Sequence, residues 1–172
     1  MDECTSEGWD NAMTLKGIID EDCVNYKKKS MILEFPYCSF KCDKECGQQV
    51  CQNSTLATMP DIKLSVYKLV QRYLKNNITQ AVICQGLEPM DSFDELLDFI
   101  RTLRLMDNND DVVIYTGYNK KEITDKIELL KNFTNIIIKF GRYIPNQQPH
   151  YDEVLGVNLA SDNQYAERIS ES

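Results

Sequence analysis

Met31-Ile32-Leu33-Glu34-Phe35-Pro36-Tyr37-Cys38-Ser39-Phe40-Lys41-Cys42 is the stretch from which the rest of the chain can be read. Its apolar start reads as a strand, and Pro36 stops it because proline has no N–H to give a ladder. A loop rich in cysteine therefore begins at the C-terminal end of a strand. Three more apolar runs of this kind lie downstream: Ala81-Val82-Ile83-Cys84, Val112-Val113-Ile114-Tyr115 and Asn135-Ile136-Ile137-Ile138. Helical patterns separate them. Ser65 caps a helix carrying Val66, Leu69, Val70, Tyr73 and Leu74, which Asn76-Asn77 ends. Ser92 with Glu95 makes a capping box ahead of Leu96, Phe99, Ile100 and Leu103, and Asp107-Asn108-Asn109-Asp110 closes that helix. Lys120 to Asn132 forms another, with Ile123, Ile127 and Leu130 inward. Alternating apolar strands and amphipathic helices predict an α/β fold, with a mostly parallel sheet buried on both faces and ligands at the C-terminal strand ends.

Upstream, Thr14-Leu15-Lys16-Gly17-Ile18-Ile19 reads as a short first strand, and Asp20 to Ser30 as a charged loop. Residues 1–13 are polar and aperiodic, as in a frayed tail, which leaves 14–172 as a single domain. At the other end His150 reads as a surface loop residue, and Tyr151 to Arg168 as a segment able to cover one end of the sheet.

The 172 residues fit one core. With 19 Lys and Arg against 27 Asp and Glu, the net charge of -8 repels phosphate backbones and acidic membrane surfaces, so nucleic acid is not an expected partner. No run is long and apolar enough for a membrane span, and Met1-Asp2-Glu3 does not open a signal peptide; a cytoplasmic location without membrane association is the expectation.

Seven cysteines stand at positions 4, 23, 38, 42, 46, 51 and 84, four of them within 14 consecutive residues. An odd count in a chain of ordinary hydrophobicity argues for metal or redox chemistry over a disulfide framework. Structural zinc uses paired knuckles a dozen or more residues apart, which this spacing does not match. Thiolates on one loop can instead wrap a cubane iron-sulfur cluster.

Cys38-Ser39-Phe40-Lys41-Cys42 resembles the first half of the Cys-x3-Cys-x2-Cys element of the radical S-adenosylmethionine (SAM) family. On that resemblance the third ligand would be Cys51, followed like its counterpart in many activating enzymes by an Asn (Asn53), or alternatively Cys46. One strand and helix later, Gly86-Leu87-Glu88-Pro89 resembles the family's Gly-Gly-Glu-Pro turn, with Leu87 in place of the second glycine. Tyr115-Thr116-Gly117-Tyr118, Lys139-Phe140-Gly141-Arg142-Tyr143 and Ser161-Asp162-Asn163-Gln164 resemble, more narrowly, segments of the activating proteins of anaerobic ribonucleotide reductases. In these, Phe140 stands where an acidic residue is expected.

The resemblance implies a partial, incomplete βα barrel of radical SAM type. It implies a [4Fe-4S] cluster on Cys38, Cys42 and Cys51, and SAM held by Gly86, Glu88, Pro89, Thr116, Gly117 and Arg142. The Glu and turn carbonyls would take the amino group of SAM, Gly117 would admit the ribose, and Arg142 would pair with a carboxylate of SAM or of a partner, unless it forms a surface salt bridge. Reductive cleavage of SAM would then serve a large glycyl radical enzyme, an anaerobic ribonucleotide reductase, with a reductant such as flavodoxin. Two other readings stay open: radical SAM chemistry on a small molecule or peptide, and a non-enzymatic iron-sulfur or zinc protein using both Cys46 and Cys51.

Overall fold

The computed structural model describes residues 11–39, 41–48 and 54–171. Its centre is a six-stranded sheet. In chain order the elements are β1 (Ala12–Leu15), β2 (Gly17–Asp22), β3 (Ser30–Phe35), α1 (Lys41–Cys46), β4 (Ile62–Ser65), α2 (Val66–Lys75), β5 (Ala81–Gly86), α3 (Phe93–Leu105), β6 (Asp111–Tyr115), α4 (Thr124–Leu130), β7 (Ile136–Phe140), β8 (His150–Asp152), β9 (Val157–Leu159) and β10 (Tyr165–Ser170). The sheet order is β10-β7-β6-β5-β3-β2. β3, β5, β6 and β7 run parallel, while β2 and β10 lie antiparallel at the two edges. This is the α/β, mostly parallel arrangement expected, a sheet of partial-barrel type that among the described residues ends at β10 on one side and β2 on the other.

Strand periodicity decides which core each residue enters. Met31, Leu33, Val82, Cys84, Val112, Ile114, Ile136 and Ile138 pack under Leu69 of α2, Phe99 of α3 and Ile127 of α4. The alternate residues Ile32, Ile83, Val113 and Ile137 face the other way, under Tyr26, Leu155 and Leu159. Helices thus cover one face, and the 22–27 loop and the β8–β9 hairpin cover the other. Each fully buried Leu or Ile contributes roughly 1.5–3 kcal/mol, so together these two layers stabilise the fold far more than any single polar contact does. No helix among the described residues is long and apolar enough to cross a membrane.

Some details differ from the sequence reading. The strand expected over Thr14–Ile19 breaks at Lys16, whose N–H donates to Glu34 O at 2.7 Å; β1 then pairs with β4 in a separate two-stranded sheet and β2 with β3. β1 also takes up Ala12 and the fully buried Met13, two residues of the supposed tail, because Met13 completes the core under the helices; residues 1–10 lie outside the described residues. The Ser92–Glu95 capping box does not form: a 3-10 turn starts earlier, at Pro89, and Glu95 accepts the Thr14 N–H instead. Between Lys120 and Asn132 a 3-10 turn over Lys120–Ile123 precedes the shorter α4. His150 belongs to a strand and not to a loop. By contrast Ser65 caps α2 as expected, its hydroxyl accepting the Lys68 N–H at 3.2 Å.

Candidate functional site

The C-terminal ends of the four parallel strands carry three of the four downstream motifs and the start of the cysteine segment. β3 and β5 stay paired past the sheet, with Leu87 N–H donating to Phe35 O at 3.2 Å and Glu88 N–H to Tyr37 O at 2.8 Å. That pairing fixes the residue before Cys38. It requires Gly86: its φ is +99°, and a Cβ there would stand 2.6 Å from Phe35 N. Only glycine accepts that backbone and that approach.

Glu88 caps the turn that Pro89 begins, and it is 5% exposed. Its carboxylate accepts the Met90 N–H at 3.0 Å, the Thr116 hydroxyl at 2.8 Å and the Gly117 N–H at 2.8 Å. Burial pushes this carboxyl above its ordinary pKa, against the pull of those three bonds. Glu88 thus braces the β5 turn to the β6 turn. Thr116 in turn accepts the Tyr118 N–H, and the Tyr118 hydroxyl donates to Asp91 at 2.6 Å.

Gly117 differs from Gly86. A Cβ on it would meet Arg142 Cγ at 3.5 Å and Glu88 Oε2 at 3.6 Å, ordinary contacts, so the chain's own packing does not demand glycine there. Gly117 nevertheless lines the cavity.

At the end of β7, Gly141 has φ +105° and lies against Asn163 and Gln164. Asn163 Nδ2 donates to Arg142 O at 2.8 Å, Gln164 Nε2 donates to Gly141 O at 3.3 Å, and the Ser161 hydroxyl accepts the Ile144 N–H. The two motifs, some twenty residues apart, therefore form one locked corner. Phe140, in the place of the expected acid, is fully buried in the helix-side core and packs on the Tyr165 ring at 5.3 Å. Arg142 is 8% exposed and forks onto Glu122, at 2.8 and 2.6 Å, with its Nε 3.5 Å from Glu45 of α1. It does not line the cavity.

The cavity itself has a volume of about 560 Å³ and runs from Cys38, Gly86, Glu88 and Thr116 down to Lys139. Lys139 was not anticipated as a site residue. It is 9% exposed, its ammonium donates to Gly141 O at 3.2 Å and lies 5.7 Å from the centre of the Tyr115 ring. The signal was present: Lys139 is a lone charge in an apolar strand, at the position whose side chain shares the cavity face with Ile137.

Cys38 lines the cavity and is half-buried, Cys42 lies on α1, and Cys46, exposed, ends α1 one turn later. Cys51 lies outside the described residues. Among the described residues no three His, Cys, Asp or Glu side chains stand together. Cys84 sits in the core, where burial pushes its thiol well up, so it is a packing residue.

These residues fit the groups that the cysteine segment and the turns imply. Cys38 lines a cavity in the size range of small-molecule sites, beside a glycine that the chain's own packing does not demand, and a buried ammonium supplies positive charge. Neither the curated proteins nor the solved structures give a match to the chain. A family of known kind does: with residues 28–164 matched, the chain belongs to the 4Fe-4S single cluster domain family, of radical SAM type.

Proposed function

We propose that the chain is an activase: an enzyme that uses a [4Fe-4S] cluster and SAM to generate a glycyl radical on a large partner enzyme, an anaerobic ribonucleotide reductase. The family supplies the cluster and SAM as cofactors. The observation that carries the reading is the brace of Glu88 on Thr116 and Gly117, which brings the second and third strand-end turns together beside Cys38. Cys38, Cys42 and Cys51 would hold the cluster, leaving one iron open for SAM. When bound, the pair supplies one-electron cleavage of the sulfonium bond, and with it a radical able to take a hydrogen atom.

The chain's residues bind and orient. The Gly86 turn lines the cavity and would offer backbone carbonyls to the amino group of SAM, and Glu88 holds that turn in shape, since three donors of the chain already occupy its carboxylate. Lys139 complements the carboxylate, its ammonium bringing positive charge and N–H donors to the cavity wall. Gly117 admits the ribose. Among the described residues the sheet does not close into a full barrel, and the partner's loop would reach the strand ends from that unclosed side. A flavodoxin-like donor would supply the electron.

The test is to reconstitute the chain anaerobically with the partner reductase, SAM and a reductant. A glycyl radical doublet in the electron paramagnetic resonance (EPR) spectrum, dependent on all components, supports the proposal. Cleavage of SAM without that doublet would turn the reading toward another substrate.

A further inference from the structure

Both ends of the cysteine segment are anchored. Its outgoing limb hangs from Tyr37 O on the β5 turn. Its return limb enters β4, which pairs with β1, and just before it Lys16 binds Asp61 at 2.7 Å and Met59 O at 2.6 Å. Between them lies α1, only six residues long and too short to be stable alone.

The Arg142 guanidinium meets this helix at Glu45. Glu122 takes its two terminal nitrogens, at 2.8 and 2.6 Å, and the Tyr118 ring centre lies 5.7 Å from its carbon. Glu122 and Tyr118 thereby orient the planar fork, and its Nε edge faces Glu45, 3.5 Å away, one residue before Cys46. Arg142 is itself fixed by the Asn163 bond to its carbonyl. A guanidinium can serve two carboxylates on two edges at once, which an ammonium on a flexible stem does not reproduce.

We propose that Arg142 is a positioning residue for the cluster: by holding Glu45 it fixes the cysteine helix over the strand-end turns. The inference rests on the cluster reading above, and gives a residue remote in sequence from the cysteines control over how firmly the iron is kept. Glu45 is mostly exposed, so the pair is worth little to global stability and its effect should be local.

The experiment compares wild type with Glu45→Gln and Arg142→Lys. In the metal-free chain, the amides of residues 43–46 should exchange hydrogen about threefold faster in both variants, the scale of an exposed ion pair, with the β5 and β6 amides unchanged. After anaerobic reconstitution, chelator-driven iron loss should quicken by a similar factor and the EPR signal of the reduced cluster should broaden, while the thermal midpoint of Glu45→Gln stays at the wild-type value. Combining the two substitutions should add nothing to either alone. Wild-type rates of exchange and iron loss in both variants overturn the inference. A wild-type chain that takes up no iron counts instead against the cluster reading.

Discussion

Glu88 Oε2 accepts the backbone N–H of Gly117 at 2.8 Å, joining two turns that are 29 residues apart in sequence. With the Thr116 bond to its other oxygen, this makes one buried carboxylate the link between the β5 and β6 ends.

Glu88→Gln keeps the shape but turns one acceptor into a donor facing a donor. Leaving such a group unsatisfied costs about 1–3 kcal/mol, so denaturant unfolding should show a loss of that size, and SAM affinity by calorimetry should fall at least tenfold. There is also a pH signature. Because burial raises the folded value of this carboxyl above the ordinary 4.5, the folded chain holds a proton that the unfolded chain has released, and stability falls as pH rises from 4.5 through the folded value. The Gln variant should lose that slope.

Two glycines separate fold from function. Gly86→Ala puts a methyl 2.6 Å from Phe35 N at a left-handed backbone, and should destabilise the chain by about 3 kcal/mol or more in chemical unfolding. Gly117→Ala meets only ordinary contacts and should cost under about 1 kcal/mol, yet weaken SAM binding tenfold or more. Equal stability losses at both positions would contradict the cavity-facing role of Gly117.

Much of this was legible beforehand for a physical reason. The pattern at Ile32, Ile83, Val113 and Ile137 is local periodicity, and Gly86-Leu87-Glu88-Pro89 follows a strand directly, so both the sheet and its turns could be read from neighbouring residues. What escaped were pairings between distant residues. Nothing near Arg142 points to Glu122 or Glu45; nothing near Ala12 points to β4; and Ser92 with Glu95 satisfies the local capping rule, yet the turn begun at Pro89 overrides it.

Asp111 lies at the opposite end of the strands, 4% exposed, and binds Arg168, Lys28 and Tyr26. Burial pushes its carboxyl up, but those hydrogen bonds outweigh burial and hold it down to about 2. Its contribution is therefore present above the ordinary 3.8 and is lost as pH falls through about 2. Asp111→Asn should remove this acid-limb dependence and cost about 2 kcal/mol at neutral pH, as read by urea unfolding across pH.

The choice of third ligand can be read from two variants. Cys51→Ala should abolish SAM cleavage and reduce retained iron, whereas Cys46→Ala should leave both near the wild-type level. The reverse result would assign the ligand to Cys46.

The most direct measurement of the central claim is made on the chain alone. Reconstituted without oxygen, it should hold about four irons per chain, show an altered EPR spectrum on addition of SAM, and release 5'-deoxyadenosine when dithionite is added. A loaded cluster whose spectrum ignores SAM, with no 5'-deoxyadenosine formed, would contradict the account.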